Sequence, residues 1–168
     1  MNIFLTGGAG YIGSTAAETL QKNGHHITVF DSLITGHRSA IPEGVEFIEA
    51  DLGDKQAVNS ALLAKPYDAI MHFAAYIEAG ESMQDPGKFF ENNLTNSLRL
   101  IEAAVKAGIK RFVLSSTAAV YQSNDEPLHE DSPLGPNNVY GHTKLMIEQA
   151  LEWYRQIHDL HYAALRYF

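Results

Sequence analysis

The chain has 168 residues, 45% hydrophobic and 19% charged, which is the length of one domain with enough apolar side chains for a single core. A net charge of −8 with no cluster of Lys or Arg argues against nucleic acid and anionic membrane surfaces as partners. The absence of cysteine excludes a disulfide framework, thiolate catalysis and a zinc–cysteine site, and suits a reducing, cytoplasmic setting.

The apolar run Ile3–Leu5 reads as a buried strand because glycines follow it at once. No apolar run approaches the length of a membrane span, and the first residues read as a strand rather than a charged-then-apolar leader. The glycines recur as Gly7-x-x-Gly10-x-x-Gly13, and a helix-compatible run from Tyr11 to Asn23 follows. Gly7 lets the chain turn sharply off the strand, Gly10 leaves no Cβ in the way of a pyrophosphate, and Gly13 lets the helix lie close on the sheet. The free N–H groups and positive dipole end of that helix would then face phosphates. Glycines at this spacing also fit a plain strand-to-helix turn. Here strand and helix flank them, and Asp31 stands about 20 residues on, at the end of the second apolar run Ile27–Phe30, which favours a dinucleotide site. A carboxylate there accepts hydrogen bonds from both ribose hydroxyls of an adenosine and would repel a 2′-phosphate. That favours NAD over NADP.

Ser32 to Pro42 is a turn-rich connection. Val45–Glu49 alternates apolar and polar as a third strand, and Asp51 and Asp54 follow it, the latter capping a helix over Lys55–Ala64. Tyr67–Phe73 is a fourth strand running into Ala74-Ala75. Phe89, Leu94, Leu98, Ile101, Ala104 and Val105 fall at helical spacing in a helix over Pro86–Ala107, which Gly108 closes. Arg111–Ser115 is the fifth strand; a long loop to Val139, a helix over Tyr140–His158 and a sixth strand over Tyr162–Tyr167 complete the chain. Alternating strands and helices predict an α/β fold with a doubly wound parallel sheet. Right-handed crossovers put the strand C-termini on one edge, so Gly7–Gly13, Asp31, Asp51, Phe73–Ala75 and Ser115–Thr117 would line one crevice. With no closing helix and no second domain after Phe168, residues 1–168 read as the NAD-binding domain of a longer chain.

Tyr140-Gly-His-Thr-Lys144 sets a tyrosine and a lysine on one helix face, about 40° apart. Lowering a tyrosine from about 10 to about 7 needs roughly 4 kcal/mol of phenolate stabilisation, which a nearby ammonium and a cationic nicotinamide could supply together. The spacing also fits an amphipathic surface helix, and its pairing with a dinucleotide fingerprint is what favours chemistry. The Thr117 hydroxyl, with Ser115 and Ser116, could hold a substrate oxygen or relay its proton, or could bond its own backbone in a turn. None of the eight histidines joins carboxylates at metal-ligand spacing, so no metal site is expected. Glu78 and Glu81 read as solvated loop charges, and Trp153 and Tyr154 as core or subunit contacts.

The chain resembles the extended short-chain dehydrogenase/reductase family, and within it the epimerases that act at C4 of UDP-hexoses. The matching stretches are Thr6–Ser14, Asp51-Leu52, His72–Ala75, Gly80–Ser82, Glu91–Asn93, Ser115–Tyr121, Tyr140–Lys144 and Leu165–Phe168. The resemblance implies that Tyr140 takes the proton from the sugar 4-hydroxyl while NAD takes the C4 hydride. The 4-keto sugar then turns over and hydride returns to its other face, interconverting UDP-glucose and UDP-galactose. Lys144 would lower the tyrosine pKa and hold the nicotinamide ribose, and Thr117 would bridge to the sugar oxygen. The resemblance also places Tyr11 and Ile12 on the pyrophosphate and Asp31, Ser32, Leu33, Ile34, Thr35 and Gly36 along the adenosine. Asp51 and Leu52 meet the adenine, Phe73, Ala74, Ala75, Tyr76 and Ile77 pass the phosphates and ribose, Asn92 contacts the cofactor, and Phe168 lies beside the nicotinamide.

Departures are Ile77, where some members carry a lysine, Gln122 for a glycine, and Val139 for a proline. Only the cofactor half of a complete member matches, without the half that holds the uridine nucleotide. The expectation is therefore NAD binding by this chain, epimerisation by a longer one, and an exposed apolar face where the sheet is incomplete. Members often form homodimers through the helices matching Pro86–Ala107 and Tyr140–His158. Related dehydratases follow the threonine with an acidic pair, which Ala118-Ala119 cannot replace. Decarboxylases and reductases share the motifs; a non-catalytic dinucleotide-binding module need not keep Tyr and Lys at this spacing.

Overall fold

Strand β1 (Asn2–Thr6) feeds helix α1 (Tyr11–Lys22) in the computed structural model of the chain, which describes residues 1–123 and 126–168. β2 (His26–Asp31) passes to β3 (Glu46–Glu49) through a single 3₁₀ turn, Arg38–Ala40. α2 (Lys55–Leu63), β4 (Ala69–His72), the short helices α3 (Ala79–Ser82) and α4 (Pro86–Phe89), and α5 (Asn96–Lys106) follow. β5 (Arg111–Thr117), α6 (Val139–His158) and β6 (His161–Tyr167) end the order. The strands form one sheet in the order β3-β2-β1-β4-β5-β6, all pairs parallel. The order reverses between β1 and β4, which is where an open α/β sheet leaves a crevice at its strand C-termini.

The central strands are buried on both faces, as a sheet covered by helices requires. Phe4, Phe30, Ile70, Leu100, Ile101, Phe112, Leu114, Ile147 and Leu151 form the larger core cluster. Ile3, Leu5, Ile27, Val29, Ala17 and Ile41 form the second. Phe4 and Leu5 belong to different clusters because successive side chains on a strand point to opposite faces. At β6 the second layer runs out: Tyr162 and Ala164 pack on the larger core, while Leu165 and Tyr167 remain about 40% and 39% exposed. Among the described residues, no helix is long and apolar enough to cross a membrane.

Where a single helix over Pro86–Ala107 was expected, the chain forms α4, a π-helical stretch over Phe90–Thr95, and α5. Asn93 explains it. Its side chain, 1% exposed, pairs with the Tyr76 backbone through Tyr76 N–H to Oδ1 and Nδ2 to Tyr76 O, both at 2.9 Å. The wider turn lets Asn92 line the crevice while Asn93 is buried beside it. Sequence periodicity also gave no sign of α3. It exists because the buried Ser82 hydroxyl donates to Ala79 O at 2.6 Å and accepts from Tyr140 N–H at 3.1 Å, tying α3 to α6.

Candidate active site

A cleft of about 830 Å³ runs along the C-terminal ends of the strands. Its floor begins with the glycine turn after β1. Gly7 has φ +74°, and a Cβ there would stand 2.4 Å from Ala74 N. A Cβ on Gly13 would stand 2.2 Å from Gly7 O, whereas one on Gly10 would meet nothing closer than Gly7 O at 3.4 Å. Gly7 and Gly13 are therefore required by the chain's own backbone, and Gly10 keeps the cleft clear. Gly10 precedes α1 as its N-cap and has no side chain to bond the helix end, so the first N–H groups, at Tyr11 and Ile12, are left open where these residues line the cleft.

Asp31 ends β2 with its carboxylate shared between the turn and the cleft. Oδ2 accepts from Ala9 N–H at 2.9 Å and Oδ1 from Leu33 N–H at 2.8 Å. Each oxygen keeps a further lone pair for a ligand hydroxyl. Ser32, Ile34 and Thr35 line the cleft beyond it. Two residues expected on this side do not. Leu33, at φ +59°, packs into the second core cluster, and Gly36 buttresses the glycine turn, where a Cβ would lie 2.7 Å from that of Ala9. Asp51 and Leu52 line the wall with Phe30 and Ala50, and the Asp51 Oδ1 accepts from Gly53 N–H at 2.6 Å. Phe73, Ala74, Ala75, Tyr76, Ile77 and Asn92 complete the middle.

The far end holds Thr117, Tyr140, Lys144 and Phe168, together with Ser115, Ser116 and Tyr167. α6 presents Tyr140 there because Asn138 caps it, Oδ1 accepting from Gly141 N–H at 2.8 Å. The Thr117 hydroxyl accepts from Ala119 N–H at 3.1 Å and lies near enough to the Tyr140 phenol to favour its ionised form, so it serves both the turn and the cleft. Burial raises the Tyr140 pKa, and the neighbouring Thr117 hydroxyl offsets only part of the rise. The lowering expected from Lys144 is not seen: its Nζ donates to Ser115 O at 2.8 Å, in a site where it is 2% exposed. Burial brings Lys144 itself down to about 8, against the upward pull of Glu148. Ser115 thus acts through its carbonyl rather than its hydroxyl.

Glu81, expected as a solvated loop charge, sits in α3 and pairs with Lys88 at 2.5 Å. Lys88 lies 4.6 Å over the Tyr76 ring, and Glu78, Glu81 and Lys88 all border the cleft. Nothing in the local sequence marks Lys88; the Glu81–Lys88 separation across Pro86 was the one available sign. Trp153 is 63% exposed, away from the core, while Tyr154 packs against it.

Residues 3–168 match the NAD dependent epimerase/dehydratase family. The chain belongs to that family. The UDP-glucose 4-epimerase of Lactobacillus helveticus is 42% identical over 169 residues, spanning 100% of this chain and 51% of that protein. The UDP-glucose 4-epimerase of Brucella ovis in complex with NAD superposes with a TM-score of 0.95 at 36% identity, over 99% of this chain and 51% of that one. The UDP-Glc/GlcNAc 4-epimerase of Campylobacter jejuni superposes with a TM-score of 0.96 at 41% identity, over 99% and 53%. The chain spans about half the length of the curated relatives it matches.

Proposed function

We propose that this chain binds NAD and supplies the proton-handling residues of a UDP-hexose 4-epimerase that interconverts UDP-glucose and UDP-galactose. The observation that carries the reading is that Tyr140, Thr117 and Lys144 open into the same cleft as Gly10 and Asp31. The cleft fits the cofactor on its own terms, with a Cβ-free approach at Gly10, open helix N–H groups at Tyr11 and Ile12, and spare carboxylate lone pairs at Asp31. Bound NAD supplies a hydride acceptor that later returns the hydride.

Tyr140 takes the proton of the sugar 4-hydroxyl as that carbon is oxidised and gives it back to the other epimer. Thr117, beside the phenol, orients the sugar oxygen and shortens the proton's path. A buried phenol that titrates above its ordinary value needs cationic help to work near neutrality, and the Lys144 ammonium is the cation on the same helix face. Ala118 and Ala119 have no acid to protonate a leaving hydroxyl, so the site epimerises rather than dehydrates. NAD-side contacts are assigned to Gly7, Gly10, Tyr11, Ile12, Gly13, Asp31, Ser32, Ile34, Thr35, Asp51, Leu52, Phe73–Ile77, Asn92 and Phe168. A homodimer through the outer faces of α5 and α6 belongs to the same reading. Trp153 and Ile157 stand 63% and 68% exposed on α6.

The test is a chimera in which this chain replaces the matching half of the Lactobacillus helveticus enzyme, assayed for conversion of UDP-galactose. Conversion is expected, and the same chimera with Tyr140→Phe should bind NAD but lose turnover by at least about a thousandfold. A folded, NAD-loaded chimera without conversion overturns the substrate assignment.

A further inference from the structure

One turn beyond Lys144 on α6 stands Glu148, 7% exposed and outside the cleft lining. Arg166 of β6 grips its carboxylate with Nη2 to Oε2 at 2.7 Å and Nε to Oε1 at 3.2 Å, and the Ser116 hydroxyl of β5 donates to Oε1. The same guanidinium donates to the Tyr121 hydroxyl at 2.9 Å and to Glu130 O at 3.4 Å, and lies 4.9 Å over the Tyr121 ring. Three adjacent elements, β5, α6 and β6, are thus locked together by one ion pair a helical turn from the lysine.

We propose that Glu148 is a positioning residue that keeps Lys144 charged, and that Arg166 sets how much of the carboxylate's field the lysine feels. The inference deepens the proposed function, since it rests on Lys144 working there as an ammonium. A buried ammonium persists only where its surroundings favour the charge. The groups facing Lys144 can be named element by element. α6 offers Tyr140 one turn before it and Glu148 one turn after. β5 offers the Ser115 carbonyl, β4 offers His72, held neutral by burial, and β6 offers Arg166 behind Glu148, whose carboxylate the Ser116 hydroxyl also holds. Of these only Glu148 is an anion. Residues four apart on a helix are neighbours, so its charge reaches the lysine without a direct contact. A bidentate guanidinium cancels much of that charge at a distance. The lysine therefore feels the carboxylate attenuated, which agrees with a pKa that burial brings down to about 8 despite the anion one turn away.

Removing the anion and removing the guanidinium must then move Lys144 in opposite directions, which a purely structural role would not do. The test follows the Lys144 side chain by NMR in protein labelled with ¹³C at lysine Cε, the signal being assigned by its loss in Lys144→Met. Glu148→Gln keeps an acceptor for Ser116 but drops the charge, and should lower the Lys144 pKa by about one unit. Arg166→Gln leaves the carboxylate uncancelled and should raise it by about one unit. The double variant Glu148→Gln/Arg166→Gln strands neither member of the Glu148–Arg166 pair and should titrate with the Glu148 variant, which keeps the test usable if a single variant fails to fold. Unchanged titrations, or shifts of the same sign in the two single variants, overturn the proposal. The titration needs neither substrate nor turnover, so its failure is distinct from a chimera that does not epimerise.

Discussion

His72, at the end of β4, is 1% exposed, and both ring nitrogens are hydrogen-bonded, Nδ1 to the Thr6 hydroxyl and Nε2 to the Ser97 hydroxyl, each at 2.7 Å. Its protonation state follows from the partners. The single Ser97 hydroxyl proton goes to Asn93 O, so Ser97 must accept from Nε2–H. Nδ1 is then the bare nitrogen, and Thr6 donates to it. Burial, reinforced by the positive charge of Lys144, pushes the ring from 6.5 down to about 3. Between those values the unfolded chain binds a proton that the native chain refuses, so stability rises with pH across that window and falls as pH drops through it. At about 1.4 kcal/mol per unit, the ring accounts for about 5 kcal/mol lost by the time both states are protonated, below about pH 3. A domain of this size has a total of about 5–15 kcal/mol to lose, so this one ring can decide acid unfolding.

His72→Gln removes the titration while keeping an acceptor for Thr6 and a donor for Ser97. Urea unfolding at intervals from pH 7 to pH 4.5 should show the parent losing about 2–3 kcal/mol more than the variant over that range. The other carboxylates and histidines titrate in both proteins and cancel in the difference. Parallel pH profiles for parent and variant would refute the assignment of a neutral, doubly bonded His72.

Gly10→Ala should fold with little change in melting temperature yet lose NAD affinity by at least about tenfold, because its Cβ projects only into the cleft, whereas Gly13→Ala should fail to fold, its Cβ meeting backbone at 2.2 Å; calorimetric melting and NAD titration separate the two. Lys144→Met should stabilise the chain by up to about 3 kcal/mol at neutral pH, because burial lowers the lysine from 10.5 to about 8 and the parent bears that cost wherever both states are protonated. The parent should recover the difference as pH rises from about 8 to 10.5, so denaturant midpoints of parent and variant should converge there, and the same substitution in the chimera should abolish turnover. Trp153→Glu should shift sedimentation toward the monomer at micromolar concentration if α5 and α6 form a dimer face; an unchanged profile removes that face from the proposal.

The fold was legible because its signals are local. The strands announced themselves by apolar runs or, at Val45–Glu49, by apolar–polar alternation, and Gly7, Asp31, Asp51 and Thr117 marked strand ends by chemistry that sequence spacing preserves. What escaped depends on partners far along the chain. The π-helical stretch exists because Asn93 pairs with the backbone of Tyr76, and no helical periodicity encodes a hydrogen bond reaching across 17 positions. The pairing of Glu81 was hidden because its cation, Lys88, approaches only after the chain turns at Pro86. Leu33 and Gly36 lie within a stretch whose other members line the cleft, but alternate backbone directions turn one into the core and the other against Ala9. The orientation of Lys144 was equally hidden, since four-residue spacing fixes its face on the helix and not the acceptor its ammonium finds.

Strand order turns these separate features into one site. Reading across the sheet as β3-β2-β1-β4-β5-β6, the edge carries Asp51, Asp31, the glycine turn, Phe73–Ile77, Ser115–Thr117 and finally Tyr167–Phe168. Adjacent strands lie about 4.8 Å apart, so the carboxylate of Asp31 and the hydroxyl of Thr117, three strands over, are separated by about 14 Å along that edge. The proposed reaction needs this order of chemistry in one extended ligand: hydroxyl acceptors for an adenosine, open N–H groups for two phosphates, then a phenol and a buried ammonium where a carbon gives up its hydride and its hydroxyl gives up a proton. Exchanging two neighbouring strands would exchange their groups along the edge and break that order. The topology, more than any single residue, is what makes the proton-handling group and the adenosine-holding group parts of the same cleft.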